Sequence, residues 1–415
     1  MVSDKVKKIT HLYYSNPEVQ KAIFDFSKDR EVAPSYMMES FGKRPDSFQY
    51  TGDIFEMVKK GATSFHCSEE LWENPLSIQT GMNEAQLNEL RIGWDLILDI
   101  DSKYLDYSKI LAEQIMKILK FHNVKNVGIK FSGSKGFHII IPWNAFPKEI
   151  NEMKTSDMFP EWARILLKYI SNKTKPLLVK EITKLTAKNK YVMDFESAED
   201  VIPDLILVSS RHLFRMPYSL HEKTSLASAV IDSDKISEFQ PKDADPFKVK
   251  VKKFLPDSKE GEATELLREA LDWNKENSPV PTEKKTFDFK PIVVKDLSEK
   301  NFPPSIQKIM KGLVDGRKRS LFILINLFRS VGVEKDEFEK KIYDWNKKNK
   351  PPLKEGYVKA QISWSYKNKI VPPPNFNKEY YKGIGIVPTE EELRYKNPVS
   401  YIIKKSFKPN TKQKK

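Results

Sequence analysis

The stretch WDLILDID, residues 94–101, sets both the fold and the place where chemistry gathers. Its short apolar run alternates around two acids and reads as a buried strand. Leu96, Leu98 and Ile100 face one way, and Ile97, Asp99 and Asp101 the other. Carboxylates at i and i+2 therefore share a face and repel each other unless a cation lies between them. Hard oxygen ligands of this kind suit Mg²⁺ or Mn²⁺. A D-x-D pair alone more often just ends an exposed strand, so the neighbouring sequence carries the argument.

A stretch with helical spacing follows Asp101: Ile110, Leu111, Ile115, Ile118 and Leu119. Two strand-like runs come next, VGIKFS and FHIIIP, joined by a tight turn at Gly133-Ser134-Lys135-Gly136. Strand, helix and hairpin make a compact α+β unit. Phe137, Ile139 and Ile141 form its core face, and His138 shares the other face with Ile140. The glycines allow close backbone approach to a ligand, Lys135 adds a charge suited to phosphate, and His138 can donate a hydrogen bond. Glycine-bearing turns and single histidines are common in ordinary scaffolds, so neither decides the matter alone.

The third piece is VIPDLILVSSRHLFRMPYSLHEKTSL, residues 201–226. It supplies Asp204 before an apolar run, then Arg211, His212 and Arg215, then His221 with Lys223 and Thr224. Three acids facing several separated phosphate-binding groups fit a two-metal phosphoryl-transfer site.

In this order, D-x-D, S-G-x-K-G-x-H and an aspartate before H-L-x-R-x-P-x-S-L-H-x-K-T, the chain resembles the catalytic subunit of archaeo-eukaryotic primases over roughly residues 50–232. The resemblance implies that Asp99, Asp101 and Asp204 are the catalytic, metal-binding triad. It implies that Lys135, His138, Arg215 and His221 contact the incoming nucleotide's phosphates, with Ser132 and Gly133 in the turn that brings backbone amides to them. It also implies an α+β fold: a primase-type core with a mixed sheet, followed by a small all-α domain. Upstream, Asp29-Arg30-Glu31 resembles the family's R-E, and ATSFHCSEELWENP, with His66 and Cys67, resembles archaeal relatives. Both read as scaffold or site rim, with Arg30 in an ordinary salt bridge.

Charge is unevenly spread along the chain. Of the net +14, residues 301–415 carry +15 and residues 1–300 carry −1. A basic module attached to a near-neutral catalytic domain is the pattern of a nucleic-acid-binding enzyme. ATELLREALDW, residues 263–273, reads as one helix, and the proline-bearing polar sequence after it as a linker. The expected organisation is a catalytic domain over 1–255, a helix and linker over 256–299, a helical domain over 300–403 and a basic disordered tail over 404–415.

Residues 300–403 read as helical, with a first stripe of Ile306, Ile309, Met310 and Leu313. DGRKRSLFILINLFRSVG then places Arg317, Lys318 and Arg319 in the first turn of a helix, where cations are disfavoured unless an anion binds. Phe338, Ile342 and Trp345 mark a third helix, and PPLKEGYVKAQISWSY a fourth. This region is similar to the C-terminal domain of the primase large subunit. That family domain holds an iron–sulfur cluster on four cysteines, and here the corresponding positions read Phe376 and Val387. The single cysteine, Cys67, rules out such a cluster, and Phe376 and Val387 are expected to be core replacements.

The whole chain thus resembles a single-polypeptide DNA primase, a nucleotidyltransferase using Mg²⁺ or Mn²⁺. Its expected partners are single-stranded DNA template, nucleoside triphosphates and primer–template duplex, with no separate large subunit required. Arg317, Lys318 and Arg319 are the expected contacts to the initiating nucleotide or template. Without an apolar stretch of membrane-spanning length or a signal sequence, the expected location is cytoplasmic. Two rivals stand beside this reading: a primase-polymerase extending existing ends, and a non-catalytic nucleic-acid-binding protein. The retained acids and both histidines argue against the second.

Overall fold

The computed structural model describes residues 4–36, 40–79, 81–102, 104–188, 208–277, 291–292 and 297–406. The chain divides into two compact units, Met1–Val280 and Pro281–Lys415. Among the described residues, no helix is long and apolar enough to cross a membrane.

The strands of the first unit are β1 (Val32–Tyr36), β2 (Ser40–Phe41), β3 (Ala62–Ser68), β4 (Glu70–Trp72), β5 (Arg91–Trp94), β6 (Leu96–Ile100), β7 (Gly128–Phe131), β8 (Phe137–Ile141), β9 (Glu149–Ile150), β10 (Met153–Lys154), β11 (Leu213–Arg215) and β12 (Val230–Ile231). They form one sheet in the order β11-β3-β1-β2 and another in the order β12-β7-β8-β6, with two short ribbons, β4-β5 and β9-β10. The α+β expectation holds. The sheets expected to be mixed contain only antiparallel pairings among the described residues. The reason lies in the connections. The helix Leu105–Phe121 carries the chain from β6 to β7, and the tight hairpin then inserts β8 between those two strands. β6 and β7 run in the same direction but never touch.

The alternation in WDLILDID is borne out. Leu96, Leu98 and Ile100 enter one core with Leu111, Ile115 and Leu119 of the crossover helix and with Phe137, Ile139 and Ile141. Ile97 and Ile140 enter a second core with Phe65, Phe214 and Met216 of the other sheet. Both faces of β6 are therefore buried, and Asp99 stands where the second, inter-sheet core opens to solvent. Arg30 pairs with Asp95 in the interior, both fully buried, which matches the salt-bridge role read for it. The segment 218–220 is tied to the N-terminal helix Asp4–Tyr14. Tyr13 donates its hydroxyl to the Tyr218 carbonyl at 2.9 Å, and the Leu220 amide donates to the Tyr14 hydroxyl at 2.8 Å.

The second unit is helical: Pro304–Met310, Arg317–Ser330, Lys335–Lys347, Glu355–Lys367, Glu379–Lys382, Glu390–Leu393 and Pro398–Ser406. The Arg317–Ser330 helix is its centre, burying Leu321, Leu324, Leu327 and Phe328 against Ile306, Ile309, Phe338, Ile342 and Trp345. Gly332, with a positive φ of 72°, follows its end as expected of a helix stop. The last helix runs to Ser406, past the expected start of the tail, because Tyr401 and Ile402 are buried in the core. Phe376 is buried there too. Val387 is not: it is 68% exposed, so it is not a core replacement. Ile386, one residue earlier, takes the buried position, and its neighbour therefore projects outward.

Candidate active site

Strand register builds the site. Asp99 of β6 lies opposite His138 of β8, and His138 lies opposite Lys130 of β7. Partners across adjacent antiparallel strands point to one face, so the three side chains form a row. His138 Nε2 is 3.3 Å from Asp99 Oδ1, and Lys130 Nζ is 2.9 Å from His138 Nδ1. The row runs from the fully buried Lys130 to Asp99, whose side chain is 54% exposed at the mouth.

The electrostatics follow from that gradient. Burial pushes the Asp99 carboxyl up, but His138 and Lys130 outweigh it and hold the group below the usual aspartate range. Asp101, exposed just past the strand, is raised by partial burial and by the charge of Asp99. Two carboxylates that raise each other's cost of ionisation, both hard oxygen donors at an open edge, fit a divalent cation. His138 is lowered by burial and then by Lys130, which keeps the imidazole neutral. Asp204 lies outside the described residues. Among the described residues, no group of three or more histidine, cysteine, aspartate or glutamate side chains could by itself hold a metal ion.

The turn between β7 and β8 closes on itself. The Ser132 amide donates to the Gly136 carbonyl at 2.9 Å, and the Gly136 amide to Ser132 Oγ at 3.2 Å. Gly133 has φ +101°, and a Cβ there would sit 2.5 Å from His221 Cβ. A Cβ on Gly136 would sit 2.0 Å from the Ile100 carbonyl oxygen. These two glycines let the turn press against β6 on one side and the His221 loop on the other. Thr224 Oγ1 braces it by donating to the Gly133 carbonyl at 2.6 Å. Lys135 is exposed at its tip.

Arg215 and His221 form the facing wall. Arg215 bonds Glu222 at 2.6 Å and the Leu220 carbonyl at 2.7 Å. Burial alone would raise the Glu222 carboxyl, but Arg215 and Ser64 hold it down at about 2. His221 is lowered by burial and by Arg215, and its Nδ1 accepts from the Lys223 amide. Of the sequence-predicted residues, Asp99, Asp101, Ser132, Gly133, Lys135 and His138 thus share one end of a sheet, and Gly133 meets His221 directly.

Two residues near the row, Lys130 and Glu69, were not singled out by the sequence reading. Lys130 was seen only as part of a strand. Glu69 is buried, with Oε1 2.9 Å from His212 Nδ1 and Oε2 without a hydrogen-bond partner. His212 is raised by that bond, and the charge of Asp99 adds to the shift. Arg211, grouped with the basic set by sequence, instead makes two bonds to Glu31, alongside Arg44. His66, read as scaffold or rim, is buried on β3 opposite Arg215, with Nδ1 unpartnered. Burial, and then Arg215, lowers its pKa to about 3. Cys67 is buried beside it, its thiol pushed by burial up to about 12, so it is an inert core residue.

In the second unit, Gly316 (φ +71°) turns the chain into the helix that begins with Arg317, Lys318 and Arg319. Arg317 donates to the Pro351 carbonyl at 2.5 Å. Lys318 lies 5.2 Å from the Tyr357 ring centre and Arg319 5.9 Å from that of Tyr380, which stacks on Phe322. The basic first turn is thus set among aromatic faces, two of which (Tyr380 and Phe322) remain about 40% exposed.

Residues 98–233 match the family model of the DNA primase small subunit. The match supports a primase family. It spans the Asp99 strand, the glycine turn and the Arg215–His221 wall. An uncharacterized protein of Methanocaldococcus jannaschii is 24% identical over 373 residues, 78% of each chain. A looser likeness is to the polymerase domain of Mycobacterium tuberculosis ligase D solved with DNA. It has 14% identity and a TM-score of 0.36, and covers 64% of this chain and 89% of that one.

Proposed function

We propose that this chain is a DNA-dependent primase that makes short primers de novo on single-stranded DNA by nucleotidyl transfer. The observation that carries the reading is the Asp99–His138–Lys130 row beside the braced Gly133–Gly136 turn, inside the segment that matches the primase small subunit. Asp99 and Asp101, with Asp204, would hold Mg²⁺ or Mn²⁺, whose chemistry is to acidify an attacking hydroxyl and neutralise charge on the leaving pyrophosphate.

The remaining roles belong to the chain. The turn offers backbone amides to the triphosphate, and Lys135 adds a mobile charge. His138 presents an imidazole N–H at the mouth of the row. Arg215 is kept extended by Glu222 and the Leu220 carbonyl, so its guanidinium is ordered before a phosphate arrives. In the second unit, Arg317, Lys318 and Arg319 offer charge for the initiating nucleotide's triphosphate or the template, and Tyr357, Tyr380 and Phe322 offer faces on which bases stack. De novo synthesis joins two free nucleotides, and holding both converts a rare encounter into an effectively unimolecular step. This reading requires neither a separate large subunit nor an iron–sulfur cluster.

The test is primer-free synthesis by the full chain on single-stranded DNA with Mg²⁺ or Mn²⁺ and a γ-labelled purine nucleotide. Labelled dinucleotides from the wild type, absent with Asp99→Ala/Asp101→Ala, are expected. Extension of primed ends alone would favour the primase-polymerase. DNA binding indifferent to Mn²⁺ and nucleotide, with no synthesis, would favour an accessory protein.

A further inference from the structure

Lys130 is a buried amine to which the proposed chemistry gives no direct part. It is fully buried, no carboxylate among the described residues salt-bridges it, and its amine lies near the rings of Phe214 and Phe254, with ring centres 5.8 and 5.6 Å away. An unpaired lysine in such surroundings is strongly disfavoured unless its hydrogen bonds are specific. Its two bonds are. Nζ is 2.8 Å from Ser228 Oγ and 2.9 Å from His138 Nδ1. Ser228 donates its own proton to the Phe131 carbonyl at 2.7 Å, so toward Lys130 its oxygen can only accept. Lys130 therefore donates to Ser228 and turns another N–H toward the imidazole.

At the far side of the ring, Nε2 faces Asp99 Oδ1 at 3.3 Å. An ionised carboxylate only accepts, so the histidine proton belongs on Nε2, and Nδ1 is left to accept from Lys130. The two contacts agree on one tautomer from opposite ends. Their consequences differ once the site is in use. Asp99 is at the solvent edge and is engaged by whatever the site binds, whereas Lys130 and Ser228 are sealed in the interior.

We propose that Lys130 is a positioning residue that fixes His138 as the Nε2–H tautomer, keeping a hydrogen-bond donor aimed at the site mouth when Asp99 is otherwise engaged. That this donor serves a nucleotide phosphate rests on the polymerase reading above; the tautomer assignment does not. Burial and the neighbouring Arg215 push the Lys130 amine well below the ordinary lysine range, and a neutral amine still has two N–H donors for its two acceptors. A methionine of similar length would fill the space beside Phe214 and Phe254 and lose only the donors.

The experiment is a long-range ¹H–¹⁵N spectrum of full-length protein labelled at histidine, with the His138 signals assigned by their loss in His138→Gln. The wild type is expected to show the Nε2–H form and Asp99→Ala to keep it, whereas Lys130→Met in the Asp99→Ala background is expected to move His138 toward Nδ1–H. In steady-state extension of a primed template, Lys130→Met is expected to raise KM for the incoming nucleotide on the order of tenfold, with kcat changed far less. A fold defect would not spare kcat. An Nδ1–H or doubly protonated His138 in the wild type, or a tautomer that is the same with and without Lys130 in the Asp99→Ala background, overturns the assignment. Should the variant lacking Lys130 fail to fold, the Asp99→Ala spectrum decides alone: Nε2–H retained without Asp99 supports the proposal, and its loss overturns it. The tautomer shift, found beside a wild type that extends no primer, would sink the polymerase reading and leave the role of Lys130 standing.

Discussion

The two units handle charge differently. The first buries it: Arg30 with Asp95, Glu31 under Arg44 and Arg211, Glu70 with Arg91, and Lys130 behind His138. The second leaves cations outside, with Lys318 and Arg319 exposed beside aromatic rings, and buries the Glu392 carboxylate where the Ser305 and Thr389 amides bond it. Buried partners are held by the packing around them and excluded from salt, so losing one leaves an uncompensated charge in the interior. Exposed cations are screened within about 8 Å at physiological ionic strength, so they contribute little to stability and act on long anionic ligands instead. One unit fixes its charged groups in place, and the other leaves its exposed cations free to move in solvent.

The comparison breaks most visibly at the acids. Asp99→Ala/Asp101→Ala should lower primed extension by at least about a thousandfold while the melting temperature changes little, since relief of the repulsion that raises Asp101 offsets loss of the His138 contact that holds Asp99 down. Activity and thermal unfolding measured on one preparation check both halves. Next comes a buried pair against an exposed cation. Arg30→Met should cost about 3–5 kcal/mol in urea unfolding, whereas Lys318→Met should stay within about 0.5 kcal/mol. Equal costs would mean that the contrast between the units is false.

A third effect is read in pH. The Glu222 carboxyl sits at about 2 in the folded protein and near its ordinary value when unfolded, so the folded state favours its charged form. Its stabilisation is complete above the unfolded value and is lost as pH falls through about 4.5 toward 2, amounting to up to about 3 kcal/mol. Glu222→Gln should flatten the stability curve over that window and leave the curve near pH 7 parallel to the wild type. The smallest effect belongs to the second unit. Arg319→Ala should weaken single-stranded DNA binding a few-fold and reduce the log–log salt slope by about 0.7 per lost phosphate contact.

How much of this could be read from residues alone depended on range. Alternation places Asp99 and His138 on their faces because a strand has one period and two sides. It also places Lys130 on that face, yet cannot tell a solvent-facing lysine from one sealed under a second sheet, because Phe214 arrives from about eighty residues away. The same limit hid Arg211. Its left-handed backbone (φ +59°) and long-range bonds to Glu31 turn it from the Arg215–His221 wall, and neither leaves a local mark in SSRHLFR. In the second unit the helical stripes were plain, and Phe376 fell in the core as read. Val387 failed because a resemblance can align positions without saying which of two adjacent apolar residues points inward.

The most direct measurement is primer-free synthesis by the full chain, wild type against Arg317→Ala/Lys318→Ala/Arg319→Ala, with primed extension run in parallel. The account predicts that the wild type makes labelled dinucleotides unaided, and that the triple variant loses this initiation while extending primed ends at a near-normal rate. Initiation unaffected by the triple change, or no primer-free product from a wild type that extends primers well, would contradict it.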